Sequence, residues 1–190
     1  EMLDLRSLII YGCIMIWTVR LGGFLFWRGL KDGHDKRFKK ILPSFSQLFM
    51  TWTLSAAWVF IQSLSALVAL TVITTVEMGI VGWLGLALWI FGFGFEVLAD
   101  HQKTKFKADP ANEGKFITGG LWDISRHPNY FGEIIEWIGW AILTWSISGV
   151  VFALWTIANL VPRAFAHHKW YQNKFSDYPK NRKAIIPGII

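Results

Sequence analysis

Residues 126–140 read RHPNYFGEIIEWIGW, and the fold is decided there. A basic, proline-containing turn runs directly into a segment apolar enough for a membrane, yet that segment carries Glu133 and Glu136. On a helix, spacings of three and four residues return to one face, which collects Asn129, Glu133, Glu136, Trp137 and Trp140. Phe131, Ile134, Ile135 and Ile138 fall mostly away from it. An ionised carboxylate at hydrocarbon depth costs about 2.5 kcal/mol or more, so it usually faces a cavity, a partner or a ligand. The stripe is therefore a candidate site wall. The alternative leaves both glutamates at the membrane interface, hydrated or paired with nearby Lys and Arg.

The surrounding chain agrees with a membrane reading. Of 190 residues, 53% are hydrophobic and 17% charged, with 12 Trp and 15 Phe, too apolar for an ordinary soluble domain. Apolar runs approach or exceed the ~18–20 residues needed to cross a bilayer. We read one all-α polytopic membrane helix bundle filling residues 1–190, with about five transmembrane segments near 5–27, 43–75, 80–99, 130–146 and 150–161. Arg20 lies inside the first and must either snorkel or face the bundle interior. The second is long for one span. Gly82, Gly85, Gly92 and Gly94 in the third permit close helix approach. Pro162 should kink the fifth; if the helix continues, Arg163, His167, Trp170 and Tyr171 share a face.

The net charge of +6 might suggest a nucleic-acid partner. Its basic residues instead cluster at 28–40, at 100–127 and in the C-terminal tail, while the connectors at 75–79 and 146–149 hold no Lys or Arg. Five alternating spans put all three basic regions on one side. The positive-inside rule makes that side cytoplasmic, with the C-terminus there and the first residues outside. No nucleic acid is implied. Cys13 is the single cysteine, so no intramolecular disulfide can form. The chain starts at Glu1 without a signal peptide, which sets the expectation of a fragment or processed product.

The basic side gathers the chemistry. Glu96 and Asp100 stand one turn apart, followed by the longest polar stretch, with Lys103, Lys105, Lys107, Lys115 and Arg126. Lys and Arg answer phosphate, Asp and Asn answer ribose or a carboxamide, and Trp and Tyr stack on flat rings. An adenine-containing cofactor fits this inventory, and so do anionic lipid headgroups. No metal is implied: His167 and His168 are adjacent and diverge on a helix, and neither HExxH nor paired CxxC occurs. GxGxxG is also absent, so the usual soluble dinucleotide fingerprint is missing.

GEIIEWIGWAILTWS, followed by PRAFAHHKWYQNKFSDYPKNRKAIIP, resembles the C-terminal half of the steroid 5α-reductase family (3-oxo-5α-steroid 4-dehydrogenases). The resemblance extends back through GKFITGGLWDISRHPNYFGE and FEVLADHQ, covering roughly residues 92–190. It implies an integral membrane oxidoreductase that uses NADPH to reduce a carbon–carbon double bond conjugated to a ketone, on a steroid-like or other small hydrophobic enone. It also implies a cofactor-binding part at about 92–190. Asp100, Lys107 and Lys115 fall where the family has acidic and basic cofactor contacts, Lys standing where Arg is familiar. Asn129, Glu133 and Trp137 match the motif on the fourth segment, and Arg163, His167 and Tyr171 that on the fifth; Arg126 joins this set. The family normally has seven spans, so two N-terminal helices are expected to be missing. The family's ketone-polarising Glu then has no counterpart, and Trp17 stands nearest its Tyr. Arg20 is left as the catalytic candidate for an enolate oxygen. Arg126-His127-Pro128 looks like a bacterial branch, which places the protein in a bacterial inner membrane. Isoprenylcysteine carboxyl methyltransferases share a similar turn, so an S-adenosylmethionine-dependent membrane methyltransferase is the alternative. A lipid-binding scaffold without chemistry is a third reading.

Overall fold

The structure is a computed structural model that describes residues 4–32, 41–71 and 76–190. Five helices carry it: α1 (Leu5–Asp32), α2 (Phe45–Thr71), α3 (Ile80–Ala108), α5 (Pro128–Thr144) and α6 (Ile147–Lys174), with a short α4 (Leu121–Ile124) before α5. Among the described residues no strand forms beyond an isolated parallel bridge between Ser125 and Lys183. The protein is an all-α polytopic membrane bundle. Four helices, α1, α2, α3 and α6, are long and apolar enough to cross a membrane. The fourth predicted segment is α5, whose 17 residues rise about 25 Å, short of a ~30 Å hydrocarbon core. Most of the basic 28–40 connector and the end of the second predicted segment, at 72–75, lie outside the described residues.

Two boundaries differ from the sequence reading. The third segment does not stop at 99: α3 runs on to Ala108, so the first part of the expected polar loop is helical. HQKTKFKA contains good helix formers, and Lys105 and Lys107 in the last turn complement the negative end of the helix dipole. The fifth segment, read to 161 with a kink at Pro162, continues through that proline as α6 to Lys174. Its start is set by Ser146, whose side chain accepts from the Gly149 N–H. Pro128 opens α5 at the first turn, and Trp145 closes it in the left-handed conformation at φ 49°.

α5 is the central helix, and it lies against α3 at backbone distance. A Cβ on Gly85 would come within 2.7 Å of the Leu143 N, and one on Gly139 within 2.5 Å of the Trp89 N. Seven residues along each helix the contact repeats: a Cβ on Gly132 would meet the Glu96 N at 2.6 Å, and one on Gly92 would collide with the Glu136 N. Gly82 touches only Met78, and a Cβ on Gly94 meets nothing within 4 Å. So two of the four glycines noted in the third segment make the crossing.

One core joins all five long helices: Ile10 and Cys13, Ala66 and Ala69, Trp89, Trp137, Trp140 and Leu143, then Phe152 and Ala153. Trp137 sits edge-on to Phe152 at 4.6 Å and to Trp17 at 5.3 Å. The Trp140 Nε1–H donates to the Ser65 Oγ at 2.8 Å, a bond that links α5 to α2. Arg6 reaches from α1 to the end of α5 and donates to the carbonyls of Leu143 (3.1 Å) and Thr144 (2.6 Å). A guanidinium there also answers the dipole.

The glycine crossing is directly testable. Gly92→Ala should lower stability in detergent by about 1–3 kcal/mol, the usual range for overpacking, because the obstacle is backbone. Gly94→Ala, on the open side of the same helix, should be neutral or slightly stabilising. Thermal unfolding of the two variants beside wild type checks this.

Candidate functional site

The extension of α3 and the loop after it enclose a cavity of about 930 Å³ against the later half of α6. Lys103, Phe106 and Lys107 line it from α3, Lys115 and Ile117 from the loop, Trp122 from α4, and Ala166, His167, Trp170 and Tyr171 from α6. Arg126, His127 and Tyr130 close it at the start of α5. Asp109 starts the loop turn, its side chain accepting from the Ala111 N–H at 2.9 Å.

Arg126 is the electrostatic centre. It is buried, and its guanidinium carbon lies 3.4 Å from the ring centre of Tyr171 and 5.6 Å from that of Trp122. Among the described residues its Nε and Nη1 find no acceptor. Burial disfavours its charge, though a guanidinium stays protonated in proteins. Lys103 stands over the other part of the same ladder, its Nζ 5.4 Å from the Trp122 ring. Two cations on aromatic faces beside a cavity, one with unsatisfied donors, suit an anion such as phosphate.

His127 stacks on Tyr130 at 4.5 Å and lies 5.4 Å from His167. Burial first, then the charge of Arg126 and the neighbouring His167 and Lys103, push its imidazole down to about 2. The ring is therefore neutral at physiological pH, with Nε2 unpaired among the described residues. It offers one donor or acceptor beside the cations without adding to their charge.

A second, deeper cluster lies where α1, α3 and α5 meet. Arg20 faces the interior: its Nη1 donates to the Glu96 Oε1 at 2.6 Å and its Nη2 to the Asp100 Oδ2 at 2.8 Å. The Asn129 Nδ2 donates to the other Asp100 oxygen at 3.3 Å. Glu136 is fully buried, and neither of its oxygens finds a donor among the described residues. Glu133 lies near enough to Arg163 for their charges to interact.

The structure thus divides the residues singled out in the sequence. Lys107, Lys115, Arg126, His167 and Tyr171 line the cavity. Asp100, Asn129, Glu133 and Arg163 belong to the polar region behind it. Trp137 packs in the aromatic core, with its Nε1 unpaired among the described residues. Arg20 has both terminal nitrogens committed to carboxylates. Lys103 and Trp122 were missed as a pair because reading 100–108 as loop removed their register. The signal was present: Asp100, Lys103 and Lys107 keep helical spacing.

The chain matches the family described as "Protein of unknown function (DUF1295)" over residues 1–167. It is 43% identical over 106 residues to 3-oxo-5-alpha-steroid 4-dehydrogenase 1 of Rattus norvegicus, covering 56% of this chain and 41% of that protein. It is 50% identical over 108 residues to steroid 5-alpha-reductase DET2 of Solanum lycopersicum, covering 55% and 42%. With steroid 5-alpha-reductase DET2 of Arabidopsis thaliana the identity is 45% over 109 residues, covering 56% and 41%. The chain thus spans about two fifths of the length of these curated relatives.

The depressed pKa of His127 has a signed consequence. The folded state binds fewer protons than the unfolded state between about pH 2 and pH 6.5, so stability rises with pH across that window and is full above it. Acidification from pH 7.5 to 5 should remove about 2 kcal/mol through this residue, 1.5 pH units at 1.36 each. His127→Gln should flatten the wild-type pH dependence by that amount in thermal or denaturant unfolding.

Proposed function

The chain belongs to the DUF1295 family, and from that premise we propose that it is the cofactor-binding part of a membrane reductase that uses NADPH to saturate a carbon–carbon double bond conjugated to a ketone. The observation that carries this reading is Arg126, a buried guanidinium with two donors unpaired among the described residues, opening on a cavity of about 930 Å³. That is what a phosphate-bearing ligand requires. The names of the similar proteins supply the reaction class, and a 3-oxo steroid or a lipid of like shape is the substrate class they suggest.

The residues fit the cofactor's parts. Arg126, Lys103, Lys107 and Lys115 would hold phosphates, and Trp170 and Tyr171 offer aromatic faces to a flat ring. Asn129, held by Asp100, would hold a carboxamide. NADPH when bound supplies a hydride to the carbon β to the ketone. A proton then completes the α-carbon, so the balance is enone plus NADPH plus H⁺ giving saturated ketone plus NADP⁺. The chain's own work is orientation and charge. The lysines and Arg126 would anchor the phosphate end of the ligand and the polar region around Asn129 would hold the other, converting binding energy into alignment. His127, neutral and buried, keeps the wall polar without competing for the phosphates. The Lys- and Arg-rich connectors support a cytoplasmic position for this cavity, at a bacterial inner membrane.

The test is ligand-dependent unfolding of the purified chain in detergent with NADPH, NADH or S-adenosylmethionine. NADPH at 100 times its Kd should stabilise the protein by about 2.7 kcal/mol. Arg126→Leu should lose most of that increment. Stabilisation by S-adenosylmethionine alone would overturn the reductase reading. Oxidation of NADPH followed by absorbance with a 3-oxo-4-ene steroid tests the reaction itself.

A further inference from the structure

Arg20 lies on α1, a helix that contributes nothing to the lining of the cavity. Its side chain nonetheless crosses to α3 and grips two carboxylates one turn apart, Glu96 at 2.6 Å and Asp100 at 2.8 Å. A planar guanidinium can hold both at once; an ammonium on a flexible stem cannot fix both in the same way. The grip takes only one oxygen of Asp100. The other, Oδ1, accepts from the Asn129 Nδ2 at 3.3 Å.

That contact decides which way the Asn129 amide points. A primary amide has two donors and one acceptor, and its two ends look alike except through their partners. A carboxylate can only accept, so Asp100 draws the NH₂ end and turns the carbonyl end away. The Asn129 Oδ1 is buried and finds no donor among the described residues. It is a free acceptor aimed by a chain of two bonds that begins on another helix.

We propose that Arg20 is a positioning residue for cofactor binding: by fixing Asp100 it presents the Asn129 carbonyl oxygen to a ligand N–H. This rests on the NADPH reading above, in which the ligand N–H belongs to a carboxamide. It also assigns Arg20 a role other than meeting an enolate oxygen. The fork explains why an arginine stands here: one side chain bridges two carboxylates, offsets one of their two charges and holds Asp100 against Asn129.

A merely structural tie between α1 and α3 would change stability and leave the affinity of the folded protein alone. A positioning role changes affinity, and only while Asn129 is present. The experiment measures NADPH Kd by ligand-induced unfolding or fluorescence titration on wild type, Arg20→Lys, Asn129→Ala and the double variant, each first shown to be folded by circular dichroism. Arg20→Lys keeps the charge and loses the fork. It should weaken NADPH binding about tenfold, the equivalent of one hydrogen bond between neutral groups. In the Asn129→Ala background the same change should have no further effect. If Arg20→Lys does not fold, Asp100→Asn carries the test, since it removes the carboxylate that orients the amide and leaves the Arg20–Glu96 bond. It should give the same loss and the same silence beside Asn129→Ala.

Wild-type affinity in Arg20→Lys, or losses that simply multiply in the double variant, would overturn this inference while the cofactor reading stands. If wild type fails to bind NADPH, the cofactor reading falls, and this inference with it.

Discussion

The approach of α3 to α5 is the constraint on which the polar interior depends. Gly85 faces Gly139 and Gly92 faces Gly132, two contact points seven residues apart on each helix. Two points fix both the distance and the antiparallel register. With the register fixed, Glu96 and Asp100, one and two turns beyond Gly92, must lie against the first turns of α5. There Asp100 meets Asn129 of α5, and both carboxylates meet Arg20 of α1. The same contact explains how a 17-residue helix can occupy the middle of the bundle. Longer helices surround it, and small residues let backbones supply the packing that lipid cannot drive.

Charges brought into such an interior need partners, and α1 delivers them. Its outward side is ordinary lipid-facing surface, with Leu8, Tyr11, Ile16 and Val19 exposed. Its inward side is attached by arginine at two levels, in the first turn and at mid-helix. Arg6 caps the carbonyls that end α5, and Arg20 bridges the carboxylates of α3. Between them Ile10, Cys13 and Trp17 join the aromatic core. Apolar contacts alone would let α1 rotate, because hydrocarbon competes with them on nearly equal terms. Directional bonds at two levels do not. The orientation of α1 and the pairing of Glu96 and Asp100 are thus one physical solution.

Much of this was legible in the sequence. Span length and apolar runs located all five long helices, and the periodicity of residues 126–140 named the buried face of α5 correctly in Glu136, Trp137 and Trp140. What stayed hidden was whatever depends on a partner helix. Arg20 near a membrane boundary reads equally as snorkelling or interior, and only the register of α3 decides. Four glycines in the third segment look alike in sequence, whereas the structure uses Gly85 and Gly92 for the crossing and leaves Gly94 open. The end of α3 was misread for a different reason. Lysine-rich helix and lysine-rich loop have the same polarity, and without apolar periodicity only the charged spacing of Asp100, Lys103 and Lys107 marks the continuation.

The end of the C-terminal tail shows how a sequence motif can support a cavity that its residues do not line. Arg182 is buried and donates to the Ile117 carbonyl at 3.0 Å, with Phe116 and Tyr178 beside it. The next residue, Lys183, accepts at its carbonyl from the Arg126 N–H at 2.8 Å, and the Ile185 carbonyl accepts from the Ser125 Oγ at 2.7 Å. The Ser125 Oγ in turn accepts from the His127 N–H at 3.1 Å. The tail therefore holds Arg126 by its backbone N–H and Ser125 by its hydroxyl, and Ser125 in turn holds the His127 N–H. A guanidinium with unpaired donors beside a cavity is costly and would relax toward any nearby acceptor if its backbone could move. Pinning that backbone keeps the side chain of Arg126 aimed into the cavity. Two buried arginines, 56 positions apart, thus divide the work: Arg182 closes the scaffold on main-chain oxygen, and Arg126 is held open by it.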